Sequence, residues 1–312
     1  MPHHSRLPNL PDMPKSVPYL VLAVGVVITA MASILIRLAQ NAGLPSLIIA
    51  TFRVLLASLL LTPLAWGRHA EHLREMKARD RWLVMASGFL LGLHLYSWIA
   101  SIGFTSVASS VALVSTHPLW VGLASVFLLR EKLKLGSWLG IALTLLGSLL
   151  IAYSDGTNAQ SGGSAPLLGS GLALLGAITA AGYFLLGRTV RKRVVIIPYI
   201  WLAYSSAALT LLVIASLTSQ INLSLLSYPW QGWLFVLGLT LGPQLLSHSA
   251  FNWVLRYLSP TLVTVAILGE PIGSAILALF FFKETFLPLQ LLGFSVILLG
   301  VLIAALAERS EK

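Results

Sequence analysis

Residues 106–153, SVASSVALVSTHPLWVGLASVFLLREKLKLGSWLGIALTLLGSLLIAY, and residues 259–306, SPTLVTVAILGEPIGSAILALFFFKETFLPLQLLGFSVILLGVLIAAL, decide the fold once one is laid on the other. A shift of 153 residues aligns them without a gap. Pro118 meets Pro271, Arg130-Glu131 meets Lys283-Glu284, Gly140 meets Gly293, and Leu145-Leu146-Gly147 meets Leu298-Leu299-Gly300. Leucine matches arise freely between apolar sequences; a proline, a basic–acidic pair and two glycines in one register do not. Pro45 and Pro198 obey the same shift, and His94 and His248 miss it by one residue. The chain is two copies of one unit.

Composition says where such a unit can live. Of the 312 residues, 57% are hydrophobic and 10% are charged, whereas a soluble domain carries about 25% charged residues. The mean hydropathy is +0.88. These values exclude a soluble globule, a disordered chain and a coiled coil. Apolar windows between polar breaks predict ten spans, at 18–39, 45–66, 82–103, 106–129, 136–153, 167–187, 198–218, 230–256, 259–282 and 287–307. Backbone groups in lipid must be bonded within their own segment or in a closed barrel, so stretches of this length are helices. Each copy holds five spans, an odd number, and the second therefore enters the membrane upside down. The expected fold is an all-α polytopic membrane protein, ten transmembrane helices as two inverted five-helix repeats. Many secondary transporters share that architecture and work around a midplane site.

The net charge of +10 would suggest nucleic acid in a soluble protein. Here the basic residues sit in short loops, where they set topology instead. With the N-terminus in the cytoplasm, seventeen of the 20 Lys and Arg fall on the inner side, Lys283 alone falls outside, and Arg37 and Arg53 lie within spans. Both termini are expected to be cytoplasmic. The partition is a tail at 1–17, a first repeat at 18–153, an outer linker at 154–166, a second repeat at 167–307 and a tail at 308–312. The first 17 residues are polar, contain four prolines and lack an apolar core before a cleavage site, so the first span is expected to serve as the membrane address. Trp66, Trp82, Trp138 and Trp230 fall at span ends, where such rings settle at the headgroups. The chain has no cysteine, which excludes disulfides, thiolate chemistry and cysteine-held metal.

Polar residues inside the spans carry the chemistry. Pro118 and Pro271 interrupt the fourth and ninth spans at matching places and free the carbonyls of Val114 and Ile267. A plain packing kink is the competing reading, and the polar neighbours His117 and Glu270 favour a cavity. Glu270 is the only acid deep within a span. A charge there costs about 2.5–3.5 kcal/mol on insertion scales, so it is expected to face the interior, as a proton-coupling group, a contact for a substrate amine or a paired structural residue. Gln244, His248 and Asn252, with Arg256 beyond, repeat every four residues along the eighth span; His94, Trp98 and Ser101 share one face of the third. Together they are expected to line a central cavity, the alternative being hydrogen bonds between helices. Trp98, Trp120, Tyr183 and Trp253 could stack on a substrate or merely fill space. Arg53 is too deep to reach the interface and needs a carboxylate or a freed carbonyl; Arg37 is expected to reach the headgroups. Gly136, Gly140, Gly147, Gly293 and Gly300 mark close helix approach, within the molecule or at a dimer face. Asn222-Leu223-Ser224 fits the short glycosylation pattern.

The ten spans in two halves, with Pro118…Glu131 and Pro271…Glu284 in the fourth span of each, resemble the EamA branch of the drug/metabolite transporter superfamily. The segments TSVASSVALVSTHP (105–118), GPQLLSHSAFNW (242–253) and LGEP (268–271) carry the likeness further, and it covers residues 18–307. Where the family usually has Gly before the closing Glu, this chain has Arg130 and Lys283. The resemblance implies two inverted repeats around a central cavity in a prokaryotic inner membrane, and relatives that include exporters of aromatic and other amino acids.

The expected function is thus secondary transport or export of a small organic solute, an amino acid or related metabolite, by alternating access. Glu270 is the candidate coupling group, with Pro118, Pro271 and Arg53 as hinge or coupling residues. Substrate contacts are expected from His94, Trp98, His117, Trp120, Tyr183, Gln244, His248, Asn252, Trp253 and Glu270. No GxxxxGK[ST] loop is present, so direct use of ATP is not expected, and no cofactor or metal is implied. The expected partners are the solute and the bilayer, not nucleic acid, with the chain a monomer or weak homodimer. Two alternatives differ in class: a flippase for a lipid-linked substrate on the same fold, and an intramembrane metal-dependent enzyme using His94, His117 and His248.

Overall fold

The computed structural model describes residues 14, 16–129, 135–157, 163–191, 193–218, 227–254, 257, 266–267 and 269–309. Seven helical stretches among them are long and apolar enough to cross a membrane: Val17–Asn41, Ser46–Arg68, Ala78–Phe104, Val107–Ala124, Pro166–Arg191, Ile196–Leu217 and Trp230–Val254. Three shorter apolar helices, Leu135–Ile151, Gly269–Phe282 and Pro288–Gly300, occupy the places of the fifth, ninth and tenth spans. Each of the ten expected spans contains described helix, and residues 259–265 and 268 of the ninth lie outside the described residues. The linker residues 158–162, the pair Arg130-Glu131, Arg256 and the sequon at Asn222 lie outside the described residues. Trp66, Trp82, Trp138 and Trp230 are all exposed at span ends, as interface anchors require.

Among the described residues, three spans are not simple helices. The fourth is Val107–Val114 followed by His117–Leu129, with a turn at Ser115-Thr116 between. Pro118 explains it: proline cannot continue a helix past the carbonyl four residues back, but costs nothing in the first turn of a new one. The side chain of Pro118 lies outside the described set. The first span breaks at Met31, between Val17–Ala30 and Ala32–Asn41. No proline announces this break. The Ala30 carbonyl at the joint is covered by the hydroxyls of Ser33, at 3.4 Å, and Ser274 of the ninth span, at 3.1 Å. The eighth span runs as α-helix over Trp230–Leu239, as π-helix over Thr240–Ser247 and again as α-helix over His248–Val254.

The packing repeats under exchange of the halves. The third span lies along the sixth, and the eighth along the first. The fourth packs on the sixth, the ninth on the first; the third touches the seventh, the second touches the eighth; second meets seventh, and fifth meets tenth. Each of these pairs maps onto another of them, or onto itself, when the two copies trade places. At the fifth–tenth contact this is visible atom by atom. A Cβ on Gly147 would come within 2.7 Å of the Gly293 carbonyl, and one on Gly300 within 2.7 Å of the Gly140 carbonyl; the shift of 153 turns one contact into the other. These glycines serve packing inside the molecule.

At the far end of the ninth span Lys283 adopts φ 56°, a left-handed conformation in which glycine is the residue of least cost. Its N–H donates to the Leu279 carbonyl at 3.1 Å, which stops the helix and turns Glu284 back toward the fourth span.

Candidate functional site

The site starts from one cation. Arg53, in the middle of the second span, is completely buried. Its Nε donates to Gln244 Oε1 at 2.8 Å, and its carbonyl accepts from the Thr240 hydroxyl at 3.3 Å. Gln244 and Thr240 both belong to the π-helical stretch, and the Gln244 carbonyl accepts from the Tyr204 hydroxyl at 3.3 Å. Pro243 sits inside that stretch and removes a backbone donor. A π turn bonds i to i+5 and so admits one residue more per ring, a feature often found at functional sites. The expectation that a carboxylate or a freed carbonyl meets Arg53 is corrected: its hydrogen-bond partner is the Gln244 amide.

Around it stand the ionisable groups of the other spans. His94 Nδ1 is 2.9 Å from the Gly176 carbonyl and its ring stacks on Trp98 at 6.0 Å between centroids. His117 Nδ1 lies 3.3 Å from the Val114 carbonyl, the one that Pro118 frees, and its ring meets Phe184 at 5.3 Å. Tyr183 packs against Phe184 at 5.1 Å and lies in electrostatic reach of Tyr199. Arg53 is in electrostatic range of His94, His248 and Glu270, and His248 in range of His94 and His117. His94, His117, His248 and Glu270 are each enclosed by protein. Each nevertheless keeps surface that a water molecule can touch. These four come from the third, fourth, eighth and ninth spans and are each partly buried. Among the described residues, no three His, Asp or Glu side chains gather as a metal-binding group.

The remaining expected residues divide. Asn252 donates to the His248 carbonyl at 2.7 Å on its own helix and stands beside Tyr183. The Trp120 indole donates to the Thr116 hydroxyl at 3.2 Å, across the break in the fourth span. Trp253 packs with the apolar cluster of Leu22, Phe251 and Val254 and meets the Tyr257 ring in a tilted contact at 4.4 Å between centroids. Pro271 is buried in the first turn of the Gly269–Phe282 helix. Sequence reasoning overlooked Thr240, Tyr204 and Ser247, whose hydroxyl donates to the Gly25 carbonyl at 2.8 Å. Hydroxyls are common in apolar spans, and only the partner across the interface marks these.

A second polar cluster ties spans at the end of the molecule that bears residues 103–106 and 283–287. Arg37 does not reach outward as expected: its Nη2 donates to the Ile102 and Thr105 carbonyls at 2.5 and 2.6 Å and lies 4.0 Å from Glu284 Oε1. Glu284 in turn accepts from the Val107 N–H, at 3.2 Å to Oε1 and 3.1 Å to Oε2, at the start of the fourth span. A carboxylate is well placed there, since the first N–H groups of a helix have no partner within it. Gln40 adds a 2.7 Å bond to the Ile99 carbonyl. The first and ninth spans are thus latched to the third and fourth.

Comparison with known proteins completes the description. The model of the EamA-like transporter family matches this chain twice, over residues 17–153 and 167–306. An uncharacterized transporter of Archaeoglobus fulgidus is 26% identical over 286 residues, covering 91% of this chain and 94% of that protein. The uncharacterized transporter YdfC of Bacillus subtilis is 26% identical over 255 residues, 81% of this chain and 79% of its own. A solved crystal structure superposes with a TM-score of 0.62 over 95% of this chain and 99% of the other, at 19% identity, a likeness of fold alone.

Proposed function

Since the chain belongs to the EamA-like transporter family and is a multi-pass membrane transporter, we propose that it is a secondary transporter that exports a small organic solute, an amino acid or related metabolite, by alternating access around a central chamber. The observation that carries this reading is that Arg53, wholly buried, lies within electrostatic range of Glu270, His94 and His248, and His248 of His117, so that ionisable groups from five spans of both halves act on one another. Groups this polar are costly in a membrane and are retained where a solute or a proton passes. His94, Trp98, His117, Trp120, Tyr183, Gln244, His248, Asn252 and Glu270 form the solute site, with Trp253 as its apolar flank. The break before Pro118 lets the fourth span bend as the halves rock, and Pro271 serves as the matching hinge of the ninth.

With both termini in the cytoplasm of a prokaryotic cell, the Arg37–Glu284 latch is on the outer side. This conformation is then closed to the outside, and release of the solute requires Glu284 to leave the Val107 N–H and Arg37. Glu270 is the coupling carboxylate, protonated from one side and deprotonated to the other as the chamber alternates. The experiment is uptake by proteoliposomes of the full chain. An imposed pH gradient drives accumulation of radiolabelled amino acid by the wild type, whereas Glu270→Gln exchanges the solute without accumulating it. Gradient-driven accumulation retained in Glu270→Gln removes Glu270 from the coupling role.

A further inference from the structure

Around the chamber, four buried polar atoms have no hydrogen-bond partner among the described residues: Nη1 and Nη2 of Arg53, Nε2 of Gln244 and Nε1 of Trp98. All four can only donate. The imbalance is chemical information. A buried donor left unmatched is costly, and a buried guanidinium more so; what fits such a chamber must bring acceptors.

Three of the four form one cluster. The 2.8 Å bond from Arg53 Nε to Gln244 Oε1 fixes the plane of the guanidinium and sets the amide Nε2 beside it. The side of the fork that contains Nε is therefore occupied, and its Nη1–Nη2 end stays free. Among the described residues no carboxylate comes within 4.0 Å of Arg53, and Glu270 acts on it only at longer range. The free end of a guanidinium matches the two oxygens of a carboxylate in one plane. A phosphate dianion would call for a second fixed cation, and Arg53 is the only Arg or Lys among the described residues of the chamber.

We propose that Arg53, held in plane by Gln244, is the anchor for a carboxylate carried by the transported solute, with the Gln244 amide as its third donor. This rests on the chamber being the solute site. Orientation follows from it: the carboxylate lies at the second and eighth spans, and the rest of the solute extends toward the rings of His94, Trp98 and Tyr183.

The test uses the purified full chain in lipid nanodiscs and three matched pairs of probes: phenylalanine, leucine and glutamate, each against its α-carboxamide. Calorimetry is expected to show at least one acid bound about tenfold or more tightly than its amide. Gln244→Glu, which puts a carboxylate of the protein onto the fork at nearly unchanged shape, is expected to abolish that preference. Arg53→Lys, which keeps the charge without the fork, is expected to weaken acid binding about tenfold while amide binding holds. Thermal melting confirms that each variant is folded, and Gln244→Glu decides the question if Arg53→Lys is not. Equal binding of acid and amide, no binding of any acid, or an acid preference that survives Gln244→Glu overturns the anchor. If amides or amines are exchanged by proteoliposomes while acids are not, the transporter stands and the anchor alone falls. If the vesicles exchange none of these solutes, the transport reading itself is struck.

Discussion

The third and eighth spans hold equivalent places in the two repeats, and they meet equivalent partners in opposite ways. The third is one uninterrupted α-helix that presses on the seventh through glycine. A Cβ on Gly88 would fall on the Ala203 carbonyl and within 2.7 Å of Ser206 Cβ, and one on Gly92 would come within 3.2 Å of the Ala207 carbonyl. The eighth meets the second through Gln244 and Thr240, both bonded to Arg53. Under the shift of 153, Arg53 corresponds to Ser206, which merely donates to the Met85 carbonyl at 2.8 Å. One copy thus closes its interface with a small residue against a bare helix face. The other opens the same interface to admit a guanidinium, and the π turn is how the helix makes the room. It also explains the register: Ser87 and Thr240 obey the shift, whereas His248 lies one residue past the place that His94 predicts. The extra residue is taken up between them, where the helix is π. A duplicated unit can keep one copy for rigidity and bend the other toward a ligand.

Removing that extra residue is the harshest way to break the contrast. Deleting Leu241, which is exposed, is expected to return the stretch to α-helix and to change how Gln244 faces relative to Trp230–Leu239, withdrawing its amide from Arg53. Transport in proteoliposomes is expected to fall at least about 100-fold with the protein still inserted; activity retained would mean that the π turn does not position the chamber. A bulky residue on the rigid side comes next. Gly88→Leu overpacks the third–seventh interface and is expected to cost about 1–3 kcal/mol, read as a lower melting temperature in micelles. At the corresponding position of the other copy, Leu241→Ala is expected to change stability by less than about 0.5 kcal/mol, as surface substitutions do. The smallest effect belongs to a single hydroxyl. Ser247→Ala removes the bond to the Gly25 carbonyl and is expected to cost about 0.6 kcal/mol in a denaturant titration, the average for such bonds between membrane helices.

Much of this was legible in the chain itself. The ten spans, the twofold duplication and the break at Pro118 follow from hydropathy, register and the missing donor of proline. Gly147 and Gly293 announced a close approach, because only a residue without Cβ tolerates a carbonyl at that distance. The polar stripe of the eighth span was visible too, but its geometry was not, since an even spacing of four assumes an α-helix throughout. The break at Met31 carries no local signal, and Pro243 marks a disturbance in the eighth span without fixing its form. Each is stabilised by a side chain from elsewhere: Ser274 covers Ala30, while Arg53 and Tyr204 bond Gln244.

Arg37 and Arg53 draw the line most clearly. From its own composition and order, this chain dictates that it crosses a bilayer ten times and repeats itself inverted, because the cost of apolar residues in water and of bare peptide groups in lipid depends on local sequence alone. Which residue answers each buried charge is a different matter. Arg37 finds two carbonyls 65 and 68 residues away and Arg53 an amide 191 residues away. Such partners are chosen by where helices come to lie against one another, so only the folded molecule could name them.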